Sequence, residues 1–450
     1  MQDCARATLL RGDVPSLSEA AARPSIIVVI RSLVDFEQLR ALRREVHRNP
    51  EPAFVEIGTA ARIKQAIDGL PVRVLTGKDA HDLSSVVNYP SPQTLDEWEA
   101  RAVASGVPAE SARYFRENGT AMVVDLAGDR PGPRWGLRID IDALPMRESA
   151  DPAHFPVANG FAATNGAMHA CGHDANVAMG VGLLHRLADR DFAGSLRILF
   201  QPAEEGVRGA QTMIDAGAAD PIDTMLAVHM AGEMAMGSVV GSFTGGMATR
   251  KLKVDFTGRA SHAAGSPETG RNALLTAAMA ALGIMAIPRF SSADTRLNVG
   301  TLVAGDGVNI VPSSAVMTCE ARATDDEVVD ELVDRIRSVV EGAARTQGVG
   351  AALAVMGQSS TVSPDDEVID RIVEVAGALP EVVEVIRTQA FAGSDDANLL
   401  IRHVQRRGGK GAYLMIGGGS PGPHHSADFD VVEEAIPIGI DILASLIRQN

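Results

Sequence analysis

Cysteine is scarce: Cys4, Cys171 and Cys319 are the only three in 450 residues. An odd number at such wide spacing argues against a disulfide framework and fits a reducing compartment, so a cytoplasmic location is expected. Aromatic residues make up 4% of the chain, and 41 basic residues face 57 acidic ones, for a formal net charge of −16. No basic patch interleaved with aromatics occurs, so neither nucleic acid nor an anionic membrane surface is an expected partner. A membrane span needs about twenty apolar residues in a row, and none is present. Residues 1–32 carry an acidic position 3 and only a short apolar run, unlike a secretory signal, and are expected to form a loosely held extension. The 46% hydrophobic and 22% charged content is that of a soluble globular protein, too long for one ordinary core, so two domains are expected.

Against this background the segment Met168–Gly180, MHACGHDANVAMG, stands out. Cys171 and His173 straddle Gly172, and a backbone bent at that glycine can aim a thiolate and an imidazole at one cation. Further on, ILFQPAEEG ends an apolar run with adjacent carboxylates, Glu204 and Glu205. Carboxylates at the end of a buried strand need partners inside the fold. His229 closes the apolar run TMLAVHM, and GPHHSADFD places His424 and His425 in a Pro/Gly-rich loop. Thiolate, imidazoles and carboxylates at the ends of strand-like segments are what an α/β scaffold gathers at one edge of its sheet, and they read as a metal site. Cys319 alternates within a strand pattern and reads as core.

Helical periodicity begins near Ser32 and stops at Pro50, a second helix is expected over Ile57–Leu70, and a helical stretch over about Thr94–Glu117. MVVDLAG and RWGLRIDIDALP read as strands, and strands and helices then alternate to about residue 245, the mark of a mixed or parallel sheet covered by helices. From there strand, helix, strand, strand and helix make a compact α+β module, after which, past Gly350, the α/β texture returns. If His425 joins the earlier donors, this module is an insertion. The expected boundaries are 33–246 with 359–450 for a metal-binding domain and 247–358 for the insert.

The blocks RREVHRNPEPAFVE, RIDIDALP, MHACGHD, FQPAEEG, GRASHAAGSPETGRNAL, GVNIVP, FAGSDDANLL and HHSADF, in this order, resemble the M20 metallopeptidase family in its cysteine-containing amidohydrolase branch. The resemblance covers about residues 33–445 and implies a zinc-peptidase-like α/β catalytic domain with an inserted lid through which two copies dimerise. By position it implies Cys171, His173, Glu205, His229 and His425 as metal ligands and Glu204 as general base. It also implies His262 as a lid histidine that serves the partner's active site, and Asn309 and Arg322 as holders of a substrate carboxylate. Asp142 and Asp174 are expected to orient imidazoles rather than bind metal. The expected cofactor is one or two divalent ions per chain, zinc or manganese.

The implied activity is hydrolysis of a carbon–nitrogen bond beside an aminobenzoate-type ring, as in an aminobenzoyl-glutamate amide or another N-acyl amino acid. A further possibility is a heteromeric partner subunit. One departure matters: where the family reads GHDxH, this chain has Asn176. An amide cannot carry an imidazole's charge or proton, so a contact near the metal cluster is lost or remade. Asn176 motivates one alternative, a deaminase of a substituted aminobenzoate such as 5-nitroanthranilate; a separate alternative is a non-catalytic binding or partner subunit that retains the fold.

Overall fold

The computed structural model describes residues 35–361, 363–390 and 393–449. The expected N-terminal extension lies outside the described residues. Twelve strands occur among those described: β1 Arg73–Thr76, β2 Met122–Ala127, β3 Arg130–Asp140, β4 Ala193–Gln201, β5 Thr224–Ala231, β6 Ser238–Thr244, β7 Ala248–Thr257, β8 Thr295–Ala304, β9 Ser314–Ala323, β10 Gly350–Ser359, β11 Glu384–Ala390 and β12 Lys410–Gly417. Eight form one mixed sheet in the order β1-β2-β4-β3-β5-β12-β6-β11, and four form a second in the order β10-β7-β9-β8.

The central strands of the large sheet are buried on both faces. Along β5, Leu226, Val228 and Met230 pack into one apolar cluster with helices Phe36–Arg48, His173–Arg186 and Ala435–Arg448, while Met225 and Ala227 pack into another with helix Ala397–Arg406. Strand side chains alternate between faces, so helices on both sides demand a nearly continuous apolar run. TMLAVHM supplies one. Strands β4, β3, β5 and β12 are mutually parallel, so their carboxyl ends share one edge of the sheet.

The second sheet has its own core, formed where β7 and β9 bury Leu252, Val254, Met317 and Cys319 against helices Ala273–Met285 and Asp326–Gln347. Two expectations need correcting. The stretch 94–117 is two helices, Pro92–Ala104 and Ala109–Asn118, because Pro108 cannot continue the first and Gly106 takes φ +96° between them. The small sheet also runs past Gly350, since β10 pairs antiparallel with β7. Its GAALAVMG sequence is indistinguishable from a core strand of the larger sheet until the pairing is seen.

Candidate metal centre

Glu205, His229 and His425 among the expected donors sit where the parallel strands end, as does the expected base Glu204, while Cys171 and His173 sit at the start of helix His173–Arg186. Asp140 is the last residue of β3, Glu204 and Glu205 follow β4, His229 lies near the end of β5, and His424 and His425 follow β12. Cys171 and His173 flank Gly172, whose φ of +86° caps the following helix; a Cβ there would in addition sit 3.2 Å from Met230. Three non-glycine residues beside the donors also take left-handed backbone: Ala203 at φ +57°, Val207 at +51° and His425 at +66°. Such conformations persist only when the surroundings hold them, and they collect at functional sites.

Donor atoms of Cys171, His173 and His229 lie within 4.8 Å of one another, as do those of Cys171, Glu205 and His425, and those of His173, Glu204 and Glu205. Cys171 is thus common to two sets of three. His173 Nδ1 donates to the Asp142 carbonyl at 2.8 Å and His229 Nδ1 to the Met230 carbonyl at 2.8 Å, which leaves each Nε2 with a free lone pair. His173 Nε2 is buried with no hydrogen-bond partner among the described residues, and His229 Nε2 stands 3.6 Å from the Cys171 sulfur. His424 differs: its Nε2 accepts from the Gly232 amide at 3.0 Å, so the proton resides on Nδ1, which faces the Cys171 sulfur at 3.4 Å. His424 is therefore placed to donate to the sulfur, whereas His425 Nε2 lies 3.3 Å from Glu205.

The charge balance suits a cation. Burial, with Asp395 and Glu205 adding to it, drives the Glu204 carboxyl well above its usual range, and burial pushes Glu205 to about 7. Burial likewise pushes the Cys171 thiol up. Three acidic donors around an unpartnered imidazole nitrogen are costly to desolvate alone and become favourable around a divalent ion. Soft sulfur with imidazole and carboxylate is a donor set for a transition metal. The residues present fit the group.

Asp142 holds this centre together. Its carboxylate accepts from the Glu204 amide at 2.9 Å and the Glu205 amide at 3.2 Å while its carbonyl fixes His173. Asp174 does something else than expected. It lies one position past His173, with its carboxylate turned into a buried network, 2.6 Å from Arg43 and 2.8 Å from His47, and it orients neither His173 nor His229. Asn176 donates to Asp140 Oδ1 at 2.7 Å, so the contact that its substitution puts in question is remade through an amide.

Arg322 lines a cavity of about 510 Å³ with Cys171, Glu204, Glu205, His229 and His425. His262 and Asn309 do not line it. They lie next to each other away from it, with the Ala263 amide donating to the Asn309 carbonyl at 3.0 Å. Sequence reasoning missed Asp140, which lies 3.8 Å from both His173 Nε2 and His229 Nε2, and Asp395, which the fully buried Arg138 holds at 2.9 Å and Tyr413 also contacts. The signal was there in RIDID and SDD: charged residues inside apolar strands or beside a helix start need internal partners.

The chain matches the model of peptidase family M20/M25/M40 over residues 136–449 and belongs to that family. It is a metal-dependent hydrolase of carbon–nitrogen bonds. It is 38% identical over 426 residues, 94% of this chain and 97% of the relative, to indole-3-acetyl-aspartic acid hydrolase of Enterobacter agglomerans. It is 37% identical over 406 residues, 89% of this chain and 93% of the relative, to one of the subunits of p-aminobenzoyl-glutamate hydrolase of Escherichia coli strain K12. Among solved structures, an aminobenzoyl-glutamate utilization protein from Klebsiella pneumoniae superposes with a TM-score of 0.77 at 33% identity, covering 91% of this chain and 97% of that one. No helix among the described residues is long and apolar enough to cross a membrane.

Proposed function

We propose that the chain hydrolyses the amide of an N-acyl amino acid whose acyl group is an aromatic ring, p-aminobenzoyl-glutamate being the simplest case. The observation that carries this reading is Glu204, buried beside unpartnered His173 Nε2 in a cavity with a Phe243, Tyr413 and Met415 wall and the basic Arg322. Cys171, His173, Glu205, His229 and His425 would hold one or two zinc or manganese ions. A divalent ion there would lower the pKa of water and polarise the carbonyl. Glu204, whose proton affinity burial has raised, accepts the proton from the attacking water and passes it to the departing nitrogen, since an amine leaves poorly unless protonated. Phe243 and Tyr413, with ring centroids 4.3 Å apart, pack on each other behind the apolar part of the cavity lining.

We assign the working form as a homodimer through the small sheet. Leu275, Leu282 and Met285 on helix Ala273–Met285 are 51%, 75% and 48% exposed, and edge strand β8 exposes Val303 at 71%. An apolar stripe next to an unpaired strand edge is what a second copy covers. His262 then serves the partner's cavity: its Nδ1 accepts from the Ala264 and Gly265 amides at 3.1 Å each, so Nε2 carries the proton and can donate to developing oxyanion charge. Cytoplasmic action and a heteromeric partner subunit complete the proposal, the former resting on the scarcity and wide spacing of cysteine.

Incubating metal-loaded protein with p-aminobenzoyl-glutamate tests the reading: release of glutamate is expected, and its absence with ammonia release from aminobenzoates instead would favour ring deamination. Asn176 lends that alternative no separate support, because it satisfies Asp140. Tight metal binding without turnover of any amide would favour the non-catalytic alternative.

A further inference from the structure

Lys251 is a cation in the cavity wall that the hydrolytic scheme above does not use. It lies on β7, half-buried, where its strand neighbour two residues on, Lys253, is an ordinary surface lysine paired with Asp255 at 3.1 Å. Lys251 makes no hydrogen bond or ion pair among the described residues, although acidic side chains surround it. Those acids are committed elsewhere. Glu320, its register partner on β9, pairs with Arg322 at 3.2 Å; Asp396 accepts from the Gln201 side chain at 2.7 Å and the Ala210 amide at 2.9 Å; Glu204 faces His173 Nε2 at 3.7 Å. Burial disfavours its charge and lowers its pKa. A partly desolvated ammonium without a fixed counter-ion costs free energy that an anionic ligand would recover.

Its geometry relative to Arg322 specifies the ligand. Lys251 sits opposite Glu320, so Arg322 is its diagonal neighbour across the strand pair, and such positions are roughly 7–8 Å apart on one face, slightly less between Cβ atoms. Two long basic arms at that spacing can close on two carboxylates carried by one small amino acid. Phe243, Tyr413 and Met415 belong to the apolar lining of the same cavity.

We propose that Lys251 is a specificity-determining residue that binds a second carboxylate, so that the preferred substrates are amides of a dicarboxylic amino acid, with Arg322 on the other carboxylate. This rests on the amidase reading and deepens it. A charge-assisted hydrogen bond of this kind is worth roughly ten- to a hundredfold in discrimination. Wild-type holoenzyme is therefore expected to prefer p-aminobenzoyl-glutamate to p-aminobenzoyl-glutamine in kcat/KM by about that factor. Lys251→Met should bring the ratio of kcat/KM for the two amides close to one, chiefly by raising KM for the glutamate amide, and Lys251→Arg should restore much of the ratio. Equal losses on both substrates, or no loss, would overturn the proposal. Calorimetry with the two amides and metal-free protein separates the two claims. If the wild type turns over neither amide, the amidase reading falls, yet weaker binding of the glutamate amide alone by Lys251→Met still supports Lys251, and identical binding by both proteins refutes it.

Discussion

Gly357 on β10 faces the loop that carries Glu204 and Glu205, and it offers a sharp test of whether the small sheet positions the catalytic carboxylates. The Gln358 amide donates to the Val207 carbonyl at 2.7 Å, tying β10 to that loop. A Cβ on residue 357 would lie 2.4 Å from the Gly206 carbonyl oxygen and 3.1 Å from the Val207 oxygen, whereas ordinary contact begins at 3.4 Å. Gly357→Ala must therefore open the junction by about 1 Å, since backbone on both sides cannot rotate out of the way. Overpacking of this size costs about 1–3 kcal/mol. Because the displaced loop continues directly into Glu204 and Glu205, a shift near 1 Å is expected to lower kcat on the order of a hundredfold. Gly350→Ala on the same strand is the control, as its Cβ would meet the Thr257 oxygen at an ordinary 3.6 Å. The assay is glutamate release at saturating substrate, with bound metal and thermal midpoint measured on the same samples. A Gly357→Ala protein with kcat within about twofold of wild type would refute the coupling.

Glu204→Gln removes the proton acceptor but keeps the shape, so kcat should fall by at least about a hundredfold with ions per chain unchanged, as elemental analysis would show. Asn176→Ala strips Asp140 of a buried donor; a loss of about 1–3 kcal/mol in denaturant unfolding and a metal affinity weaker by about 10–100-fold are expected. Leu282→Glu should shift the protein to monomer in light scattering, and mixing His262→Ala with Glu204→Gln should regain activity that neither variant has, which independent protomers could not do. For pH, burial works to lower the His47 pKa, but the Asp174 and Glu148 carboxylates together outweigh it and lift His47 from 6.5 to about 9. A raised folded-state pKa gives stability that is complete below pH 6.5 and lost as pH climbs through 9, a change of about 3 kcal/mol at most. Metal-free protein should accordingly unfold more readily above about pH 9 than at about pH 6, roughly in line with that change, and His47→Leu should flatten the dependence.

The family and the α/β architecture were legible because they reside in local words. MHACGHD bends at Gly172 whatever surrounds it, and TMLAVHM needs helices on both faces. What stayed hidden depended on distant pairing. Asp174 looked like a neighbour of the His173 imidazole because it adjoins it in sequence, but helix geometry turns consecutive side chains about 100° apart and sends Asp174 towards Arg43. Asp140 and Asp395 carry no local mark of being joined through Arg138, which lies 257 positions from the latter. Lys251 alternates with Lys253 and Asp255 like any surface strand residue, and only the cavity distinguishes it.

The donors are scattered along the chain, with Cys171 in contact with His424, 253 positions away. An unfolded chain therefore has no preassembled chelate to offer an ion, apart from the short Cys171–His173 pair. Nearly all of an ion's binding free energy would accrue to the finished fold, so heat resistance should track the supply of free ion and collapse with a strong chelator. In such a protein, ion availability would report on whether the polypeptide has completed its assembly.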